Sequence, residues 1–131
     1  MIYVYVGIGG VAGSLLRFGI SSLVGAFTVG EYPIGTLIIN LSGSFLLGWI
    51  SARYVKPKII KPEVAGLITS GLIGSYTTFS TFSVETVKLM NNGNWLFALS
   101  YVVCSLVGGL MLVRWGLLTG EAGSRNEKNA V

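Results

Sequence analysis

The sequence predicts an all-α membrane protein with four transmembrane helices. Hydrophobic residues make up 52% of its 131 residues and charged residues only 11%, whereas a typical soluble domain carries about 25% charged residues. The few charges are clustered, and the four long runs between them contain no Asp, Glu, Lys or Arg except Arg17. Each run reaches the roughly 20 residues that a helix needs to cross about 30 Å of hydrocarbon.

The four runs follow one another closely, which favours one bundle with short loops. They cover residues 1–30, 32–52, 64–84 and 89–113. Pro33 suits the first turn of the second helix, where its missing N–H is not needed. We expect a single transmembrane domain over residues 1–118. The polar C-terminal tail, residues 119–131, has too little apolar surface to order itself and is predicted to be mobile.

The third run contains polar groups that a lipid-facing helix avoids. Five hydroxyl side chains lie within residues 77–83, and such groups cost free energy in hydrocarbon unless they find partners. Gly71 and Gly74, followed by β-branched Thr77 and Thr78, favour a break in this helix near mid-membrane. Broken helices expose N–H groups to anions and carbonyl groups to cations. A monovalent cation bound at the break is therefore a hypothesis.

Polar residues recur every four positions in two other spans. Thr36, Asn40 and Ser44 share one face of the second helix, and Tyr101 and Ser105 share one face of the fourth. Two such stripes line a narrow channel or simply bond each other as interhelical contacts, and the periodicity fits both. The Asn40 amide favours a channel, because it supplies two donors that can meet an anion.

Phe79 and Phe82 occupy one face of the third span. Core packing explains them simply. Alternatively, their ring edges, which carry partial positive charge, favour a small anion without fixing it as an ion pair would. Weak binding of this kind suits conduction.

Three segments together resemble the signature blocks of the CrcB/Fluc family of fluoride channels. They are Gly71-x-x-Gly74-x-x-Thr77-Thr78-Phe79-Ser80-Thr81-Phe82-x-x-Glu85, Gly35-Thr36-Leu37-x-x-Asn40-x-x-Gly43 and Gly9-x-x-x-Gly13-x-x-x-Arg17. The resemblance implies passive fluoride efflux that protects a cell from fluoride. It also implies an antiparallel dimer of four-helix subunits, with two narrow pores and a structural sodium ion at the centre of the interface.

The resemblance further implies roles for individual residues. The backbone carbonyls of Gly74 and Thr77 would hold sodium, with one pair from each subunit, and oxygen ligands suit such a hard cation. Arg17 would make the water-filled vestibule attractive to anions. The residues implied to line the fluoride pore are Asn40, Phe79, Thr81, Phe82, Glu85, Tyr101 and Ser105.

Other function classes fit the sequence less well. An enzyme is not expected, because the chain has no histidine and no evident nucleophile–base pair. A small four-helix multidrug or cation exporter would need a carboxylate in the first helix, where Arg17 stands instead. A non-conducting structural subunit fits if the polar stripes serve only as interhelical contacts. The basic groups lie beside the membrane without interleaved aromatics, so nucleic-acid binding is not expected either.

The basic residues predict the orientation in the bilayer. Lys and Arg in short loops favour the cytoplasm, so we expect a multi-pass protein of the inner (plasma) membrane with both termini in the cytoplasm. An antiparallel homodimer requires one sequence to insert both ways, which the strong bias disfavours. We therefore expect an obligate dimer with an oppositely oriented homologous subunit, the alternative being a homodimer. Only Lys88 lies on the far side; the residues on the cytoplasmic side are Arg53, Lys56, Lys58, Lys61, Arg114, Arg125 and Lys128.

Overall fold

A computed structural model describes residues 2–27 and 30–128, with side chains described as far as residue 123. All the regular secondary structure in these residues is helical, which confirms the predicted all-α class. The chain forms α1 (Ile2–Phe27), α2 (Ile34–Ile50), α3 (Pro62–Gly66), α4 (Gly74–Tyr76), α5 (Phe79–Asn91) and α6 (Trp95–Lys128). A π-helical stretch, Ser51–Val55, extends α2, and another, Leu67–Ile73, joins α3 to α4. We call the resulting continuous segment, residues 62–76, the 62–76 helix.

Three of the described helices are long and apolar enough to cross a membrane, which supports a multi-pass membrane protein. They are Ile2–Phe27, Ile34–Val55 and Trp95–Gly123. The predicted third span is divided between the 62–76 helix and α5, each of which is shorter. Helix α6 continues to Lys128, into the predicted tail. Residues 129–131 of that tail lie outside the described residues, and its mobility stays a prediction.

The chain leaves the helical conformation between α4 and α5. Thr77 has φ −74° and ψ 158°, and Thr78 has φ −148° and ψ 126°, so both residues are extended. The 62–76 helix thus ends at Tyr76, and α5 begins at Phe79. We call Thr77 and Thr78 the interruption.

Glycines allow close packing between the helices of two pairs. Helix α1 packs against the 62–76 helix, where a side chain on Gly9 or Gly13 would run into the backbone carbonyls of Leu67 or Leu72. Helix α2 packs against α6, where the same substitution at Gly48 would meet the carbonyl of Val113. The GxxxG pair of the first span therefore packs within the chain itself, as small residues commonly do between membrane helices.

Candidate functional site

A groove of about 330 Å³ lies between α2, the interruption and α6. It brings together six of the predicted site residues. Polar groups of α2 and α6 and two phenylalanine rings of α5 therefore face one space, although they come from different parts of the chain. The groove is lined by Asn40, Gly43, Ser44, Leu47, Thr69, Ile73, Gly74, Thr77, Thr78, Phe79, Phe82, Ser105 and Leu106.

Asn40 binds the backbone of the interruption with both ends of its amide. The Asn40 Nδ2 donates to the carbonyl oxygen of Thr78 at 3.0 Å, and the backbone N–H of Thr78 donates to Asn40 Oδ1 at 2.9 Å. The two bonds complete the hydrogen bonding of one extended residue from a neighbouring helix. A primary amide carries two N–H groups, so the second N–H of Asn40 is left for the groove.

Together with the hydrogen bond to the Thr78 hydroxyl, these bonds leave two backbone carbonyls without their usual helical donors. In an uninterrupted α-helix the N–H of residue i bonds with the carbonyl of residue i−4. The Thr78 N–H would bond with Gly74, but it donates to Asn40 instead. The Thr81 N–H would bond with Thr77, but it donates to Thr78 Oγ1 at 3.2 Å, so Thr78 caps α5. The carbonyls of Gly74 and Thr77 each lose their helical donor.

Tight packing against α2 fixes the position of the interruption. A side chain on the buried Gly43 would collide with the Cγ2 methyl group of Thr77. The Thr77 hydroxyl donates to the Ile73 carbonyl at 3.1 Å, so the methyl group faces α2. A larger residue at position 43 would push the interruption away from Asn40.

The two phenylalanines of α5 differ in their exposure. Phe79 is 80% exposed, whereas Phe82 is half-buried. Their ring centroids are 5.9 Å apart with an interplanar angle of 37°, and Phe82 also contacts the Tyr101 ring at 5.1 Å. Phe82 is thus held by a neighbour on α6, while Phe79 presents its ring at the open side of the groove.

A second groove of about 260 Å³ contains the other predicted polar residues of α5. Thr36, Thr81 and Glu85 line it, together with Tyr32. The Glu85 carboxylate accepts hydrogen bonds from Thr36 Oγ1 at 2.9 Å and from Tyr101 OH at 2.8 Å. The two hydroxyl donors thus hold the carboxylate between α2 and α6.

Eight of the ten predicted site residues line one of these two grooves, and Tyr101 and Arg17 line neither. The fully buried Tyr101 lies between them, with its ring on Phe82 and its hydroxyl on Glu85. Ser105 lines the first groove, and its buried hydroxyl has no hydrogen-bond partner within the described part of the chain. Arg17 is half-buried on α1 and lines neither groove.

Comparison with known proteins gives the family. Residues 4–117 match the family described as "CrcB-like protein, Camphor Resistance (CrcB)". The chain belongs to the CrcB family. It is 43% identical over 121 residues, 92% of this chain and 88% of the relative, to "Fluoride-specific ion channel FluC 1" of Bacillus thuringiensis subsp. konkukian. It is 44% identical over 128 residues, 98% of this chain and 96% of the relative, to "Fluoride-specific ion channel FluC 2" of Geobacillus kaustophilus. A similarly named protein of Listeria monocytogenes serotype 4b is 38% identical, with 97% of each chain covered.

Both grooves of this CrcB chain lie within the matched residues. Two contacts at the interruption and beside it are not predicted from the sequence. The Ser42 and Tyr76 hydroxyls share a hydrogen bond of 2.9 Å between α2 and the end of the 62–76 helix. From the sequence, Thr78 is predicted only to break the helix, although a threonine before a helix is a common N-cap. The cap had a local signal in the sequence, whereas the Ser42–Tyr76 pair had none.

Proposed function

We propose that this chain is a subunit of a fluoride-selective channel, which gives passive fluoride efflux and so confers fluoride resistance. The observation that carries the proposal is the gathering of Asn40, Phe79, Phe82 and Ser105 around one groove. The names of the relatives support the choice of fluoride.

The groove suits a small anion because its donors are weak, several and uncharged. Ring edges of Phe79 and Phe82 carry partial positive charge. The buried Ser105 hydroxyl and the second N–H of Asn40 can donate to an anion that has lost part of its hydration. The groove also lies at the start of α5, where a helix dipole favours negative charge. An ion held by several weak donors can still leave, as conduction requires.

The second groove supplies the continuation of the path. Phe82 lines the first groove, and its ring contacts Tyr101, whose hydroxyl binds Glu85 in the second. Thr81 and Glu85 would thus follow the phenylalanines on the way out. Arg17 would act at a distance, by making a water-filled vestibule attractive to anions.

No chemical reaction is needed for this function. An inside-negative membrane potential drives an anion outward with about 2.3 kcal/mol per charge per 100 mV. A passive pore is therefore enough to lower cytoplasmic fluoride, and the chain acts as an ion channel, not an enzyme.

A sodium ion fits the carbonyls that the interruption releases. Gly74 and Thr77 each offer a backbone oxygen without its helical donor, and such oxygens suit a hard monovalent cation. One subunit supplies only two of these ligands. A second subunit in antiparallel orientation would supply the other two, and the bound ion would neutralise carbonyl dipoles at the subunit interface. In each subunit, the 62–76 helix and α5 would together form a fourth span, broken at the interruption.

The proposed assembly is an obligate dimer in the inner (plasma) membrane, with both termini of this chain in the cytoplasm. The strong charge bias favours an oppositely oriented homologous partner over a homodimer. Expression of this chain alone in a fluoride-sensitive bacterium, beside co-expression with such a homologue, distinguishes the two. Robust fluoride resistance from the lone chain would rule out the obligate pair.

Fluoride efflux from liposomes tests the function directly. Purified protein, alone and with an oppositely oriented homologue, is reconstituted in liposomes loaded with potassium fluoride, and external fluoride is followed with an electrode after valinomycin is added. Rapid fluoride loss that chloride does not slow is expected. If fluoride stays inside under both pairings while a cationic dye is exported against a proton gradient, the chain is a small exporter instead. If neither fluoride nor the dye crosses the membrane, the chain is a non-conducting structural subunit.

A further inference from the structure

The turn that follows α2 has an unusual residue at its centre. The N–H of Ile59 donates to the Tyr54 carbonyl at 3.0 Å, and the N–H of Lys58 donates to the Val55 carbonyl at 2.9 Å. These are the two hydrogen bonds of a Schellman motif, in which the residue that ends the helix adopts the left-handed conformation. Lys58 has φ 57°.

A glycine would fit this position better than a lysine. Left-handed backbone costs free energy for residues with a Cβ, and glycine is the usual choice at the end of such a helix. Lys58 is the one non-glycine residue with positive φ in the part of the chain that the structure describes. Strain retained at one position points to a function for its side chain.

The side chains around Lys58 form a basic surface with an apolar centre. Lys56, Lys58 and Lys61 are exposed, and Ile59 between them is 55% exposed. Lys56 forms an ion pair with Glu121 at 2.7 Å. Neither Lys58 nor Lys61 forms an ion pair with any residue for which side chains are described. We call Lys58, Ile59 and Lys61 the basic turn.

Its place in the chain would put the basic turn at the depth of lipid headgroups. It directly follows the candidate span Ile34–Val55. Trp49 and Tyr54 stack edge to face near the same end, at 5.7 Å between ring centroids, and aromatic residues of this kind are typical of the membrane interface. An exposed isoleucine at this depth can enter the apolar side of the interface while the neighbouring ammonium groups stay at the level of the phosphates.

We propose that the basic turn binds the headgroup of an anionic phospholipid. The Lys58 and Lys61 ammonium groups would contact the lipid phosphate, and Ile59 would pack on the upper part of the acyl chains. The lysine at a strained position then has a purpose, because glycine would relax the backbone but remove one of the two cations that contact the phosphate. The proposal does not depend on which ion the protein conducts.

Lipid titrations followed by native mass spectrometry test this. The full-length protein in a neutral detergent is titrated with phosphatidylglycerol or with phosphatidylcholine. A cation near the membrane surface contributes enough that Lys58→Gly should weaken phosphatidylglycerol binding about fivefold. Phosphatidylcholine binding should not change, and Lys58→Arg should keep the wild-type affinity. The melting temperature of Lys58→Gly without lipid should equal or exceed that of the wild type, since the turn is relaxed.

Lys88→Gln is the matched control, because Lys88 is an exposed lysine at the other end of the bundle. It should leave phosphatidylglycerol binding unchanged. If Lys58→Gly fails to fold, Lys61→Gln carries the same prediction, since it leaves the turn intact. Unchanged phosphatidylglycerol binding in the lysine variants of the turn, or an equal loss in Lys88→Gln, overturns the proposal. So does equal binding of the two lipids by the wild type.

Discussion

Asn40 and Thr78, which are far apart in sequence, are joined by two hydrogen bonds between one side-chain amide and one backbone residue. Unsatisfied backbone groups are costly away from water, and an extended residue within a helical membrane protein has no helical partners of its own. Asn40 supplies both an acceptor and a donor from α2. The same residue thus stabilises the interruption and presents its remaining N–H to the groove.

Asn40→Asp should therefore damage the protein more than its small change in size suggests. The carboxylate can still accept from the Thr78 N–H, but it faces the Thr78 carbonyl without a donor, which costs about 1–3 kcal/mol. It also places a negative charge beside a path for anions. We expect a lower melting temperature in detergent and fluoride efflux slowed at least about tenfold.

Asn91→Asp is the control for this change, because Asn91 is exposed at the end of α5. It should match the wild type in both measurements. Wild-type melting and efflux for Asn40→Asp would contradict the role that we assign to the Asn40 amide.

Both phenylalanines of the groove should matter for conduction, and the exposed Phe79 should not matter for folding. Phe79→Ile and Phe82→Ile keep most of the apolar volume but remove the positive ring edge, whose contacts are worth about 0.5–1.5 kcal/mol. Efflux should slow roughly two- to tenfold, with an unchanged melting temperature for the exposed Phe79. Phe18→Ile on α1, where Phe18 is 72% exposed and lines neither groove, is the control. Wild-type efflux from both α5 variants would remove these rings from the path.

The sequence predicts the structure best where the surrounding solvent determines it. Long uncharged runs predicted the helices, because hydrocarbon excludes charges whatever their partners are. Helical periodicity alone predicts that Phe79 and Phe82 share one face, and both line one groove.

Contacts between polar groups that are far apart in the chain cannot be predicted from the sequence. Nothing local indicates that Tyr101 binds Glu85, or that Asn40 binds both groups of the Thr78 backbone, since each depends on how helices pack. The helical structure at the start of the predicted tail also depends on a contact that the sequence does not reveal. Gly120 lies against the backbone of Trp49, a contact with another helix that the polar composition after residue 118 does not reveal.

Gly13 should tolerate no side chain, whereas Gly19 on the same helix should. A Cβ at Gly13 would run into the Leu72 carbonyl of the neighbouring backbone, which cannot rotate away, and a Cβ at Gly19 would meet nothing within 4 Å. Overpacking of this kind costs about 1–3 kcal/mol. Gly19→Ala should gain up to about 1 kcal/mol from helix propensity. Thermal unfolding in detergent checks both, and equal stability of the two variants would contradict the close packing of α1 on the 62–76 helix.

Removal of sodium should weaken the protein if the Gly74 and Thr77 carbonyls hold this ion. A ligand present at about 100 times its dissociation constant stabilises the folded state by about 2.7 kcal/mol. Exchange of sodium for N-methyl-D-glucamine should therefore lower the melting temperature and slow fluoride efflux, and returning sodium should restore both.

Gly74→Ala tests whether the sodium ligand at position 74 is the backbone carbonyl. A Cβ at this position would have an ordinary contact with the Thr69 carbonyl at 3.7 Å, so the carbonyl of residue 74 should stay in place. Because the proposed ligand is that carbonyl and not a side chain, the variant should keep its response to sodium. Asn40→Asp, which weakens the contact that holds the interruption, should shift the response to higher sodium concentrations. Identical melting and efflux of the wild type in the two salts would exclude a stabilising sodium ion at this interruption.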